Sequence, residues 1–212
     1  MKTLIVGSGS LFDGNLLKKY HQWADLVIAA DGGQEHLRKA GLNSHILLGD
    51  FDSIDNAELE EIKAKKSSEL ITFPKEKDYT DLELAINLAI ERGATNIVLL
   101  GACGTRLDHT TANIHLLYKL LENNIDGYIE DEHNRIYLIN KTLTIKKQDG
   151  YKVSVLPLPP FAGGVTTKGL TYELYDAKLV FGTGRGISNE FCDETAIISL
   201  KEGLLLVIIS RD

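Results

Sequence analysis

Among the 212 residues there are only 2 cysteines, 4 prolines, 1 methionine and 1 tryptophan. Cys103 and Cys192 are far apart and show no paired spacing. That excludes a disulfide scaffold or a thiolate metal cluster and points to a reduced, cytoplasmic setting. Long hydrophobic runs are also missing. The longest, Leu204–Ile209, is far too short for a membrane span, and Leu4-Ile5-Val6 is too short for the apolar stretch of a signal peptide. Nor is there an excess of positive charge: 23 Lys and Arg face 30 Asp and Glu, a net charge of −7. Bulk binding to nucleic acid or to anionic lipid is therefore not expected, whereas a nucleotide bridged to carboxylates by a divalent cation remains compatible. No internal repeat, low-complexity linker or G-x-x-x-x-G-K-[ST] phosphate loop is found.

What is present is an ordinary globular balance, 43% hydrophobic and 25% charged. In the first part of the chain, apolar runs at Thr3–Val6, Leu26–Ala30, Ile46–Leu48, Leu70–Phe73 and Ile97–Leu100 read as strands. Helical patterns at Leu16–Tyr20, Gln34–Ala40, Asn56–Lys66, Leu82–Arg92 and Thr110–Leu121 alternate with them. Continuous apolar strands separated by helices predict a parallel sheet covered on both faces. Thr80-Asp81-Leu82-Glu83 reads as a capping box at a helix start, and Gly93 as its stop. After about Asn124 the helical period disappears and short strands follow, from Tyr128–Glu130 to Leu204–Ile209. The expected fold is α/β: a Rossmann-like parallel-sheet domain over 1–124, then an all-β sandwich over 125–212, packed without a linker.

The acidic residues of the first part fall just after strands. Asp31 follows the second, Asp50 and Asp52 the third, Asp78 and Asp81 the fourth, and Asp108 the fifth, beyond Arg106. In a parallel sheet these positions share one edge, where open α/β folds bind ligands. Each alone has a plain structural reading: a turn at Asp31-Gly32-Gly33, helix-dipole complementation at Asp78 and Asp81, an ion pair between Arg106 and Asp108. Together they suit Mg²⁺, a hard ion with oxygen ligands, and the chemistry of phosphoryl transfer.

Other signals are weaker. Gly7-Ser8-Gly9-Ser10-Leu11-Phe12 has Phe12 where a dinucleotide fingerprint has its third glycine; it reads either as a phosphate-contacting turn or, more simply, as a plain loop. His109 is placed either to touch phosphate or merely to open a helix, and the remaining histidines have no ligand spacing. Trp23 reads as packing and Lys63–Lys66 as a solvated helix end. Gly182–Glu190, without further context, reads as a glycine-rich hairpin.

Taken in order, Ala30-Asp31-Gly32-Gly33, Gly49-Asp50-Phe51-Asp52-Ser53, Lys77-Asp78-Tyr79-Thr80-Asp81, Gly104-Thr105-Arg106-Leu107-Asp108-His109 and Gly186-Ile187-Ser188-Asn189-Glu190 resemble the thiamin pyrophosphokinase family over nearly the whole chain. The resemblance implies diphosphoryl transfer from Mg-ATP to the hydroxyl of thiamin, giving thiamin diphosphate and AMP. It implies a homodimer with composite active sites, without nucleic-acid or membrane partners. Asp31, Asp50, Asp52 and Asp81 would form the Mg²⁺ centre, and Asp31, Gly32, Thr80, Thr105 and His109 would contact the nucleotide. Asp81, Arg106 and Asp108 would be catalytic, with Asp81 and Asp108 both candidates for the general base, and Ser188 and Asn189 would contact thiamin. Lys77 stands where some members carry a neutral residue, and the second half has no Trp to stack on the pyrimidine. The Asp50-Phe51-Asp52-Ser53-Ile54 segment also resembles the nucleophile motif of haloacid-dehalogenase-type phosphatases, although that motif usually follows a first strand.

Overall fold

The near-continuous apolar runs form the central strands of a parallel sheet. The computed structural model describes residues 1–51, 68–74, 76 and 78–212. The predicted helix Asn56–Lys66, with Asp52, Ser53 and Lys77, lies outside them. Two compact units divide the chain, Met1–Glu132 and His133–Asp212, giving a mixed α/β fold.

The first unit has strands β1 (Lys2–Val6), β2 (Leu26–Ala30), β3 (Ile46–Gly49), β4 (Glu69–Thr72), β5 (Asn96–Leu100) and β6 (Asp126–Glu130). All pair in parallel, in the order β4-β3-β2-β1-β5-β6. The chain runs outward from β1 to β4, then returns to the other side of β1. The loops after β1 and β5 therefore diverge from neighbouring strands, which opens a crevice at the sheet's C-terminal edge. Described helices are α1 (Gly14–Trp23), α2 (Gly33–Lys39), α3 (Asp81–Glu91), α4 (Leu107–His115) and α5 (Leu117–Glu122).

Burial on both faces explains the continuous apolar runs at the centres of β1, β2, β3 and β5. Leu4, Val6, Val27 and Ala29 cluster with Leu17 of α1 and Leu37 of α2. The strand residues between them point to the opposite face. Helix α3 packs on β1, β2 and β3, burying Leu82, Ala85, Ile86 and Ala89 at helical spacing. Thr80 caps α3, its Oγ1 accepting from the Glu83 N–H at 3.2 Å. The Glu83 carboxylate pairs with Lys119 Nζ of α5 at 2.8 Å, so the predicted box is realised through Thr80. The single helix predicted over Thr110–Leu121 is two, beginning at Leu107 and broken at Leu116. There the Leu116 N–H is shared between Ala112 O and Asn113 O.

The change of period at Asn124 falls one strand before the unit boundary. Strand β6, read as the start of the all-β part, belongs to the parallel sheet beside β5. It is also tied to α1: the Tyr20 hydroxyl donates to the buried Glu130 carboxylate at 2.5 Å and lies 3.0 Å from Tyr128 Oη. Burial and the Glu130 carboxylate push the Tyr20 hydroxyl well above the ordinary tyrosine range, which keeps it a donor.

The second unit contains β7 (Asn134–Ile139), β8 (Leu143–Lys146), β9 (Lys152–Pro157), β10 (Phe161–Lys168), β11 (Ala177–Val180), β12 (Asn189–Glu190), β13 (Thr195–Ser199) and β14 (Leu205–Ser210). They pair antiparallel in two runs, β12-β9-β14-β7 and β11-β10-β13-β8. Alternate residues such as Val153, Val155, Val165, Ile198, Val207 and Ile209 share one core drawn from both runs. The Gly182–Ser188 stretch is not a hairpin, because β11 pairs with β10 while β12 pairs with β9. The two-residue β12 carries no period that a sequence reading could detect.

Candidate active site

A cavity of about 640 Å³ lies in the first unit, lined by the loops after β1 and β5 together with Asp31, His36, Thr80 and Asp81. The two loops touch through their backbones. Gly9 N–H donates to Gly101 O and Ser10 N–H to Cys103 O, both at 2.7 Å. Glycine is required here by space: a Cβ on Gly9 would lie 2.3 Å from Cys103 O, and one on Gly101 2.3 Å from Gly7 O. Side chains then hold the pair in place. His36 Nε2 donates to Gly9 O at 2.8 Å, Asn113 Nδ2 to Ala102 O at 2.7 Å, and Thr110 Oγ1 accepts from Gly104 N–H at 3.1 Å.

Asp31 lines the cavity in a left-handed conformation, φ +48°, with its N–H bonded to Leu48 O at 2.8 Å. A non-glycine residue held there costs on the order of 1–3 kcal/mol, a strain that clusters at functional sites. Asp50 follows Gly49 on the adjacent strand, where a Cβ on Gly49 would meet Asp31 Cα at 3.3 Å. Two carboxylate-bearing strand ends thus run side by side. Thr80 and Asp81 bring the N-terminus of α3 to the same cavity, and Thr105, Arg106 and His109 bring the start of α4.

Some predicted members stand apart. Gly32, Asp50 and Asp108 are not among the described lining residues. Asp108 turns to Arg106: Arg106 Nη2 lies 2.6 Å from its Oδ2 and Nε 3.3 Å from its Oδ1, with both side chains largely exposed. That hydrogen-bonded pair holds the Asp108 carboxyl below the usual carboxylate range, which weakens it as a proton acceptor. Among the described residues, no group of three or more His, Cys, Asp or Glu side chains is gathered to hold a metal ion. Asp52 lies outside the described residues. The donors present are hard carboxylate oxygens at neighbouring strand ends, a set that fits Mg²⁺, which commonly takes one or two carboxylates and completes its shell with water and phosphate.

Sequence reasoning missed the loop from Ser8 to Phe12, His36, Thr110 and Asn113. The Gly-x-Gly turn was visible, but only the strand order places it at the divergence point. Cys103 also lines the cavity; burial, with Asp131 adding to it, pushes its thiol up to about 12 and keeps it protonated. Both cysteines are free, and Cys192 is exposed.

In the second unit a cavity of about 280 Å³ is lined by Tyr172, Arg185, Gly186, Ile187 and Asn189 among others. Asn189 is buried and its amide is occupied: Oδ1 accepts from the N–H of Tyr172 and of Glu190, and Nδ2 donates to Tyr172 O. Ser188 is exposed at φ +58°, its N–H bonded to Ser154 Oγ at 3.0 Å.

The fold and cavity define an open parallel α/β protein of the class that takes ligands beyond the strand C-termini. The family model for the thiamin pyrophosphokinase catalytic domain matches residues 17–129, and that for the thiamin pyrophosphokinase vitamin B1 binding domain matches 140–205. The chain belongs to the thiamin pyrophosphokinase family. It is 32% identical to the thiamine pyrophosphokinase of Bacillus subtilis over 217 residues, covering 100% of both chains. The crystal structure of thiamine pyrophosphokinase from that organism superimposes with a TM-score of 0.89 at 30% identity, again over 100% of both chains. The yeast thiamin pyrophosphokinase structure, at 19% identity, shares the fold with a TM-score of 0.82 over 99% of this chain and 86% of that one.

Proposed function

We propose that the chain is a thiamin diphosphokinase that transfers the diphosphoryl group of Mg-ATP to thiamin, releasing AMP. The observation that carries this reading is the division of labour along the chain. The catalytic-domain match falls within the first unit, and the vitamin B1 binding match within the second. On this reading the first unit is a Rossmann-like nucleotide domain and the second a β-sandwich that receives thiamin.

The reaction follows from the groups at the cavity. The hydroxyl oxygen of thiamin attacks the β-phosphorus, the bond from that phosphorus to the α,β-bridging oxygen breaks, and AMP leaves with the electron pair. The hydroxyl proton passes to Asp81, preferred over Asp108 because Asp108 is held by Arg106. Arg106 is placed to offset charge on the transferring phosphates. Thr80, Thr105 and His109 hold the nucleotide, and Gly32 keeps the chain after Asp31 close to Ser8, where a Cβ would come within 3.0 Å of Ser8 Cβ. Asp31 and Asp50, with Asp52 and Asp81, would hold Mg²⁺, which supplies charge neutralisation for the phosphates. Ser188 and Asn189 belong to the thiamin side, Asn189 by fixing the Tyr172 backbone.

A homodimer with composite sites completes the proposal. Tyr172, Tyr175, Phe181 and Ile187 of the second unit are exposed large apolar side chains, of the kind that self-association covers. Sedimentation velocity is expected to give twice the chain mass, and a monomer at assay concentration sinks the composite site. Among the described residues no helix is long and apolar enough to cross a membrane. We place the reaction in the cytoplasm, the setting that the unpaired cysteines favour.

Phosphorus NMR with thiamin and Mg-ATP tests the reaction. Thiamin-dependent AMP and thiamin diphosphate are expected. ADP with thiamin monophosphate would change the reaction assigned to the site, and thiamin-independent inorganic phosphate would replace it with hydrolysis.

A further inference from the structure

We propose that Phe12 is the stacking platform for the base of the nucleotide co-substrate, a specificity residue of the cavity. The inference rests on the functional reading above. It concerns a residue ahead of the segment that the catalytic-domain family model covers, 17–129.

Phe12 is 87% exposed, an unfavourable place for a phenyl ring unless something covers it. Its exposure is built in. The preceding Leu11 is buried in the first unit's core, so the next side chain is turned outward. The backbone is fixed on both sides. Ser10 N–H is bonded to Cys103 O, and the N–H groups of Phe12 and Asp13 both donate to Glu132 Oε1, at 2.5 and 2.6 Å. Asp13 then caps α1 by accepting from Asn15 N–H at 2.8 Å. A ring presented this way on an anchored loop loses little entropy when it is covered.

Phe12 also lines the 640 Å³ cavity, whose size lies in the range for small-molecule and cofactor sites. The groups that suit phosphate are polar or charged: Thr80, Thr105, Arg106 and the N-terminus of α3. A nucleoside triphosphate has one flat, weakly polar part, its base, and Phe12 is the one apolar ring among the described lining residues; the other rings are the imidazoles of His36, which is bonded to Gly9 O, and His109. Thiamin also carries rings, but the vitamin B1 binding match lies at 140–205, in the other unit. A phenyl ring has no hydrogen-bonding atom, so it reads the base by its surface and favours the larger purine over a pyrimidine.

The test uses the full-length protein. Phe12→Trp places a fluorophore at the position, against a background of one native tryptophan, Trp23, which is read in the parent protein. Emission from Phe12→Trp is expected to be quenched saturably by ATP and not by inorganic tripolyphosphate or by thiamin. Phe12→Ala is expected to raise the KM for Mg-ATP roughly tenfold, leaving kcat and the KM for thiamin within about twofold. Phe12→Tyr is expected to restore the parent value. Equal quenching by tripolyphosphate, or quenching by thiamin, overturns the proposal. So does an altered sedimentation coefficient of Phe12→Ala with an unchanged KM for ATP, which would assign the ring to a contact between chains. Calorimetry of the parent protein separates the two readings. ATP binding with unmoved Phe12→Trp emission removes the stacking alone, and no ATP binding removes the functional reading as well.

Discussion

Replacing Asp81 with asparagine is expected to lower kcat by about 10²- to 10⁴-fold, the range spanned by a lost general base. Folding should survive. Asp81 opens α3 at the cavity, half-buried, and the cap of that helix is Thr80, whose bond to Glu83 N–H the substitution leaves alone. Asparagine keeps the shape and loses one favourable charge near the helix N-terminus, a change of about 0.3–1 kcal/mol. Asp108→Asn provides the comparison. Asp108 lies outside the cavity lining and its carboxyl is held by Arg106, so its loss frees the guanidinium and leaves a base in place. The expected fall in kcat is about tenfold or less. Equal losses in the two variants would return Asp108 to the role of base. Recovery of Asp81→Asn at high Mg²⁺ would leave Asp81 only its part in holding the ion and remove its role as the base.

Sequence pattern made the first unit legible because its central strands are buried on both faces. A run such as Leu4-Ile5-Val6, with all three residues fully buried, has no polar alternation to confuse it with a half-exposed strand. Thr80 was legible as a cap for a local reason, a hydroxyl three residues before the N–H that it accepts. Strand β6 was assigned to the wrong half because a parallel edge strand and an antiparallel one look alike over five residues. Only pairing with β5 decides the matter. The acidic positions and their common sheet edge were readable, yet which of them face one cavity was not. Asp31 and Asp81 line one cavity, while Asp108, two residues from Arg106, closes on its neighbour. Local electrostatics there outweighs the placement that topology suggests. The glycine turn after β1 was undervalued for the opposite reason: its partner, the loop after β5, is more than ninety residues away in sequence, where the Gly9 N–H meets Gly101 O.

That long-range contact carries a large expected stability effect. Gly101 has φ +62°, and a Cβ on it would lie 2.3 Å from Gly7 O and 3.1 Å from Gly7 C. Backbone atoms cannot rotate aside as a flexible side chain does. Gly101→Ala therefore combines left-handed strain of about 1–2 kcal/mol with an overpacking cost of about 1–3 kcal/mol. Gly41 supplies the control, with a similar φ of +69° and no atom within 4 Å of its missing Cβ. Gly41→Ala should show the strain alone. At roughly 2–4 °C per kcal/mol for a chain of this size, Tm is expected to fall by roughly 4–20 °C for Gly101→Ala and by about half as much or less for Gly41→Ala. The two should also part in function. Pushing Gly7 and Gly101 apart displaces both loops that line the cavity, so Gly101→Ala should weaken ATP binding below the melting transition, whereas Gly41→Ala, beyond the end of α2, should leave it unchanged. Equal shifts in Tm with equal ATP affinity would mean that the two loops separate freely and that their contact does not shape the site.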